Sequence, residues 1–527
     1  MKKIIALLLC AVMATASFAA CGNNGDESKP EDSSSAPAVS ETVSDVSDEE
    51  SKPEEINYLE KIYTGNDYNG KTFTFLTSGV NATATSEIVY NEDLTDSENF
   101  PETINEAIKR RNDAVYDLLG VEIKEIYFHD PRRYGGDTLA KIRNSASAGD
   151  NSFQAVSVCL YDCGTLATEN YLFDLTTLEN LHGLEYPWWD EGFSNTVRIA
   201  GKQYFMLGDM GINYKNSTPC VYYNQSLFEK LGLENPQQLA IDGKWTIDKA
   251  IELSTSYHDD INGTDGIQWD DCYGWCGQND DMPSMLYGAG VRIVSPDSEG
   301  YPYLTLWSET ANNAVEKVLE LMLNSDYYVS GNDWFGKTGN YEWPMQALEA
   351  NFIAGHVLFY SGGISTAINL SAMENSFGIL PVPKLTEEQD DYYSLLNTWT
   401  TNAYAITTNN TEEQAEFAAA VLEAMGYYSW EGNVDSLAVA YYERVLKMQK
   451  LKADETSTAL LDLIFAQRGC ELGSVFRIGN ITGSKSVNDI LGTLINEKKT
   501  GAFRSTYEAY ESILEADVEA VVEYFKS

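Results

Sequence analysis

The sequence predicts an α/β protein made of more than one domain. Three observations carry this. Strand-like and helix-like segments alternate from Thr72 onward. Their order begins βαβαβ, which yields a parallel sheet with helices on both faces. The stretch from Asn57 to Ser527 is too long for a single core.

The elements read as follows. Residues 72–76 (TFTFL) alternate apolar and polar and form a strand. Pro101 to Leu119 is a helix, with Thr103 and Glu106 as a capping box and Gly120 as the stop. Its apolar face is Ile104, Ala107, Ile108, Val115, Leu118 and Leu119. Val121–Tyr127 is the next strand, Thr138–Ala148 the next helix, and Gln154–Leu160 a β-branched strand. Further on, Asn224–Leu231 is a helix ended by Gly232, and Thr246 caps another. Val357–Tyr360, Phe377–Leu380 and Ala403–Ile406 are strands. Thr411 and Gln414 form a second capping box, for a helix that Gly426 ends. The C-terminal third is mostly helical.

Ahead of this lies a different kind of sequence. Lys2 and Lys3, an apolar run from Ile4 to Val12, and small residues up to Ala20 have the layout of a secretory signal peptide over 1–20. The apolar run falls short of the roughly 20 residues that span a bilayer. Phe18-Ala19-Ala20-Cys21-Gly22 resembles a bacterial lipobox, with Phe18 where Leu is usual, and implies lipidation of Cys21. Residues 21–56 then form an acidic, Ser- and Pro-rich linker with too little apolar surface to fold. A diacyl anchor with a flexible leash implies the outer face of a membrane.

Composition narrows the partners. Lys and Arg number 35 against 80 Asp and Glu, a net charge of −45, which excludes nucleic acid and anionic lipid surfaces. Beyond Cys10 and Cys21, the cysteines are Cys159, Cys163, Cys220, Cys272, Cys276 and Cys470. The two C-x₃-C pairs lack the further Cys or His that a zinc site needs. Disulfides and buried thiols both remain open. Asp260, Asn262 and Asp265 imitate a calcium loop, but Thr264 and Asp265 occupy the wrong positions and no Glu closes it. An Asn/Asp/Gly turn is the simpler reading, so no cofactor is expected.

Four groups of segments carry a resemblance. These are Pro187-Trp-Trp-Asp190 with Ile199–Phe205; Val221-Tyr-Tyr-Asn224 with Leu227–Gly232 and Gly243–Thr246; Phe377–Lys384; and Ala440–Leu446 with Leu461–Ile464. In this order, behind a lipobox, they resemble the family 1 extracellular solute-binding proteins, the sugar-binding partners of bacterial ABC importers. The resemblance implies a two-lobe, periplasmic-binding-protein-like (type II) fold with three hinge crossings and a helical C-terminal portion. It places the crossings near Ser217–Tyr222, Tyr360–Ser361 and Thr401–Tyr404. The N-terminal lobe would be 57–217 plus 361–402 and the C-terminal lobe 222–359 plus 404–527. A monomer that takes a carbohydrate between its lobes and hands it to a membrane permease is implied.

Ligands of open α/β sheets bind beyond the carboxyl ends of the strands. That rule selects Ser78, Tyr161, Asp162, Ser361 and Gly362. Tyr161 offers a flat apolar face and Asp162 a planar acceptor, the two things a sugar needs. Trp399, just before a crossing, is the tryptophan best placed to stack on a ring. Cys272-Tyr-Gly-Trp275 leading to Gln278-Asn279-Asp280 resembles the family's second cleft wall and offers Trp275 and Asn279. Arg477 is a further candidate. Trp188, Trp189 and Trp245 read as packing residues. The rival classes are a surface-anchored carbohydrate-active enzyme and a binding protein for a non-sugar solute such as a peptide. The sequence contains neither a G-x-S-x-G nor an H-E-x-x-H motif, so no catalytic residue is assigned.

Overall fold

A computed structural model describes residues 56–62, 65, 68–79, 87–92, 101–130, 135–263, 268–371, 373–450 and 455–527. The chain divides into Met1–Ile56 and a compact unit, Asn57–Ser527. The signal peptide, Cys21 and the linker up to residue 55 therefore lie outside the described residues, as does Asp265 of the calcium-like turn.

Nine strands build the two main sheets: β1 (Thr72–Gly79), β2 (Glu122–His129), β3 (Ala155–Cys159), β4 (Pro219–Asn224), β5 (Tyr273–Gly277), β6 (Tyr328–Ser330), β7 (Val357–Gly363), β8 (Phe377–Leu380) and β9 (Asn402–Ile406). The first sheet has the order β9-β3-β1-β2 and the second β8-β4-β7-β5-β6. In the first, β1 runs parallel to β2 and β3, while β9 is antiparallel to β3. In the second, β5, β6 and β7 run parallel and β4 is antiparallel to β7.

The helices that matter here are α1 (Glu102–Leu119), α2 (Asp137–Ala148), α3 (Leu160–Thr168), α4 (Asn213–Asn216), α5 (Asp281–Gly288), α6 (Glu309–Met322), α7 (Pro344–Ile353), α8 (Glu412–Ser429), α9 (Glu455–Ala466), α10 (Leu472–Val475), α11 (Val487–Asn496) and α12 (Phe503–Lys526). Among the described residues no helix is long and apolar enough to cross a membrane.

The alternation in β1 explains the layering. Phe73 and Phe75 point to one side, 5.0 Å apart edge to face, and meet Phe417 of α8. Leu76 points the other way, into the cluster that holds Ile104 and Ile108 of α1. Gly120 closes α1 in the left-handed region, φ 69°. The capping box expected at Thr103 does not form. Pro101, with φ −58°, is the N-cap instead, two residues earlier, so Thr103 falls inside the first turn. The box of Thr411 and Gln414 does form, and so do the Thr246 cap and the Gly232 stop.

Domain boundaries shift from those the resemblance implied. Residues 361–380 belong with the second sheet: β7 continues to Gly363 opposite Pro219, and β8 lies on the other edge of β4 with Leu380 opposite Val221. Two open edges on β4 recruit both strands and bury Ile379 and Leu380. The return to the first sheet comes at β9, not at Tyr360–Ser361. Residues 404–429 stay with the first sheet as well, because α8 packs on α1. The chain rejoins the second sheet when α9 packs on β8.

Trp188, Trp189 and Trp245 are buried, as their sequence context suggests. The six cysteines from Cys159 to Cys470 are buried, Cys220, Cys272, Cys276 and Cys470 are free thiols, and burial pushes Cys220 up to about 12. At the calcium-like turn, Asp260 accepts the Gly263 N–H at 2.8 Å and Asn262 bonds Asp270 at 3.2 Å, an ordinary Asx turn.

Gly426 does not end α8, which runs on to Ser429. Its role is close approach: a Cβ there would meet Trp188 Cδ1 at 2.3 Å. Helix propensity alone would have Gly426→Ala stabilise the protein by about 1 kcal/mol. Overpacking against Trp188 should reverse the sign and cost about 1–3 kcal/mol. Urea unfolding of the two proteins checks this, and a raised midpoint in the variant would contradict it.

Candidate functional site

The carboxyl ends of β5, β6 and β7 lie along one edge of the second sheet, at Gln278, Gly331 and Gly362. They open into a cavity of 630 Å³, within the usual range for ligand pockets. Ser361, Gly362 and Gly363 form its floor with Pro219 of β4. Asp280 and Asp281 at the start of α5 stand on one side, with Asn332. Phe335 and Trp343 stand at the mouth, 53% and 57% exposed, in edge-to-face contact at 6.0 Å. Asn213, Asn216 and Ser217, with Asn397 and Thr400, close the opposite wall.

Each wall is fixed from behind. Trp275 is fully buried on β5 and stacks on Phe359 at 5.1 Å. Its indole N–H donates to Ser361 Oγ at 2.9 Å, so Trp275 positions the floor without reaching a ligand. Asp281 accepts the Gln278 N–H at 2.9 Å and a bond from Ser361. Across the cavity, Asn213 Oδ1 accepts the Asn402 N–H at 2.7 Å and Asn216 Oδ1 accepts the Tyr441 hydroxyl at 2.6 Å. Glu87 caps the turn before α4 by accepting the Ile212 and Asn213 N–H groups at 2.8 and 3.0 Å. Arg111 holds the same turn through the Met210 carbonyl at 2.8 Å.

No lysine, arginine or histidine lines the cavity among the described residues. Its acidic side chains are Asp280 and Asp281. Burial pushes Asp281 up from 3.8 to about 7, against the Gln278 N–H and the Ser361 bond, which favour the ionised form. Burial likewise raises Glu87 from 4.5 to about 7. The wall is rich in amides and hydroxyls, and the mouth carries two exposed aromatic faces. Such a surface can exchange hydrogen bonds with a polyol and stack on its C–H faces. A second cavity, of 670 Å³, opens at Arg292 and Tyr393 beside Glu309 of α6, away from the strand ends.

The sequence-selected residues divide. Ser361 and Gly362 line the cavity. Trp399 is 38% exposed and sits between the lining residues Asn397 and Thr400. Asn279 braces the loop instead: its N–H bonds Asn332 Oδ1 at 2.8 Å and its side chain bonds Asn496 at 2.8 Å. Trp275 is core. Asp162 is buried, and Tyr161 receives Asn488 Nδ2 at 3.3 Å. Both sit in the first turn of α3 because β3 ends at Cys159 and the helix begins at once, leaving no loop. Ser78 is buried, with its carbonyl accepting Asn402 Nδ2 at 2.7 Å. Arg477 takes a left-handed backbone, φ 54°, and bonds Asn480, outside the lining.

The sequence reading passed over Asp281, Asn213, Asn216, Asn332, Phe335 and Trp343. A signal for the aromatic pair existed. Residues 331–344 (GNDWFGKTGNYEWP) pack aromatics among Gly, Asn and Asp with no strand or helix period. An apolar-bearing loop of this kind between a strand and a helix marks a binding surface.

The sequence matches no protein-family model and no curated protein sequence. Solved structures do match. An ABC substrate-binding protein from Listeria monocytogenes, in complex with cycloalternan, aligns over 86% of this chain and 99% of its own at a TM-score of 0.52 and 15% identity. The chain has the fold of the ABC substrate-binding proteins. UgpB from Mycobacterium tuberculosis, in complex with glycerophosphocholine, aligns over 82% of this chain and 100% of its own, at 0.54 and 16%. A cyclo/maltodextrin-binding protein complexed with maltotetraose aligns over 86% and 99%, at 0.51 and 12%. These neighbours are described as binding proteins and complexes, not as enzymes.

The raised carboxyls give a pH test. Between their ordinary values and about 7, folded Asp281 and Glu87 hold protons that the unfolded chain releases. Stability attributable to them is therefore lost as pH rises through that window. Asp281→Asn should flatten part of this slope and be more stable than the parent at about pH 8. Chemical unfolding at a series of pH values measures it; an unchanged slope would show that Asp281 titrates normally.

Proposed function

We propose that this protein is the extracytoplasmic binding component of an ABC importer and captures a carbohydrate, most simply an oligosaccharide, in the 630 Å³ cavity. The observation that carries this is the pairing of a cation-free wall of amides, hydroxyls and carboxyls with two exposed aromatic faces, Phe335 and Trp343. Sugars need both: planar acceptors for hydroxyls and a flat apolar face for C–H groups. Neighbours of this fold solved with cycloalternan and maltotetraose support the same reading. The UgpB complex with glycerophosphocholine favours a non-sugar ligand as the second reading.

The lobes close over the ligand by rotating about the segments where the chain passes between sheets, near 217–219, 396–402 and 430–450. Ligand contacts to both walls would select the closed state. Export by the signal peptide, lipidation at Cys21 and the acidic linker over 21–56 keep the monomer at the extracellular face of the cell membrane, beside the permease that receives the sugar. The spacing of charge, apolar run and small residues before Cys21 supports this.

A thermal-shift screen of oligosaccharides tests the reading. A ligand at about 100 times its Kd should add roughly 2.7 kcal/mol. Stabilisation by peptides alone, or release of reducing sugar from a polymer, would overturn it. Trp343→Ala should weaken sugar binding about three- to tenfold, the worth of one aromatic contact. Calorimetric titration reads this, and an unchanged Kd would move the stacking face elsewhere, with Trp399 the next to be changed.

A further inference from the structure

We propose that the ligand carries a protonated amine received at Asp281, so that the cavity takes an amino sugar in preference to a neutral or anionic one. This rests on the carbohydrate reading above and narrows it. The described lining contains no cation that could pair a ligand carboxylate or phosphate, yet it contains the adjacent carboxyls of Asp280 and Asp281.

Asp281 is held ready to accept. Trp275 donates its indole N–H to Ser361 Oγ at 2.9 Å, which leaves the Ser361 hydroxyl proton for Asp281. The Gln278 N–H adds a second fixed donor at 2.9 Å. Tyr328 points to the same corner. It is 4% exposed and its hydroxyl has no hydrogen-bond partner. A Cβ built on Gly277 would meet both Asp281 Oδ2, at 2.3 Å, and the Tyr328 hydroxyl, at 2.4 Å. The corner thus holds a carboxylate without a counter-charge and a polar group without a partner, both costly when buried.

An ammonium group supplies the missing counter-charge at Asp281, which lines the cavity, beside the buried Tyr328 hydroxyl. It brings three donors and a positive charge, where a sugar hydroxyl brings one donor and none. The exposed faces of Phe335 and Trp343 add to the preference, since an aromatic face attracts a cation. An anionic sugar would find amide and hydroxyl donors but no cation, and would meet the carboxyls of Asp280 and Asp281. Burial also keeps the Asp281 carboxyl up at about 7, so an arriving cation gains most where that group ionises.

The test is calorimetric titration of the purified full-length protein near pH 7.5 with three trisaccharides: glucosamine, its N-acetylated counterpart and galacturonate. The amine form should bind about tenfold tighter than the acetylated form, the worth of a charge-assisted bond. That ratio should shrink between about 0.05 and 0.5 M salt. Asp281→Asn should bring it near one, and Asp280→Asn, kept in case the first variant does not fold, should lower it too. Equal affinities in the parent protein, tightest binding of galacturonate, or a ratio untouched by either variant would overturn the amine assignment and leave the carbohydrate reading standing. Binding of none of the sugars would overturn the carbohydrate reading and this inference with it.

Discussion

The pairing of β7 between β4 and β5 is the constraint on which the candidate site depends. Antiparallel register to β4 sets Gly363 opposite Pro219 and Tyr360 opposite Tyr222. Parallel register to β5 sets Cys276 opposite Tyr360. Together they bring Ser361 to Trp275 and turn the last three residues of β7 into the cavity floor. The end of the strand is secured by Tyr222, whose hydroxyl lies 3.0 Å from the Gly363 carbonyl and 3.1 Å from that of Ile364, and accepts the Ala367 N–H at 3.1 Å. Gly362 has to be glycine, because a Cβ would meet Thr366 Oγ1 at 2.8 Å and the Tyr360 ring at 3.1 Å. A one-residue slip of β7 would exchange its faces and remove Ser361 from both Trp275 and Asp281.

That floor belongs to one sheet, so what joins the two sheets decides how the opposite wall can move. Contacts gather on one flank. Arg468 bonds Asp190 at 2.5 Å with its side chain 8% exposed, and its guanidinium lies 4.4 Å from the Tyr214 ring. The Ala200 N–H reaches the Gly300 carbonyl at 3.2 Å. Tyr204 meets Phe525 at 5.5 Å. Gly164 of α3 approaches the Val475 carbonyl so closely that a Cβ would stand 2.4 Å from it. Breaking a buried ion pair leaves an uncompensated charge, so rotation that spares this flank is cheaper than rotation that opens it. Under the proposed closure, the side that moves is then the one carrying Phe335 and Trp343.

How much of this could be read from sequence varies with the kind of signal. Local periodicity and capping gave many element positions: α1 buries one apolar face and stops at Gly120, and Thr411 with Gln414 boxes the start of α8. Long-range pairing was harder. Nothing local tells β8 to lie beside β4 or β9 to lie beside β3, and both changed lobes relative to the reading by resemblance. The site followed the same divide. Of the residues the strand-end rule selects, Ser361 and Gly362 of the second sheet line the cavity. At β3, α3 starts without a loop, so Tyr161 and Asp162 lie in its first turn, outside that lining. Trp275 and Asn279 were the right segment in the wrong role, because burial, invisible in sequence, made one a post and the other a brace.

The six buried thiols bear on the same question of what the fold depends on. Cys220, Cys272, Cys276 and Cys470 are free, and burial raises all four above the ordinary thiol range. Thiols held in that state are poor nucleophiles and resist exchange. Small exported domains use disulfides because they cannot bury enough apolar surface; a unit running from Asn57 to Ser527 can. Cys276 shows the cysteines serving as small core residues: it lies on β5, one residue beyond Trp275, paired in register with Tyr360 and Val329. A disulfide there would pull on the strand that carries the indole, and through it on Ser361 and Asp281. An unpaired thiol leaves that chain of contacts undisturbed, so the geometry of the cavity floor is set by packing and hydrogen bonds without a cross-link.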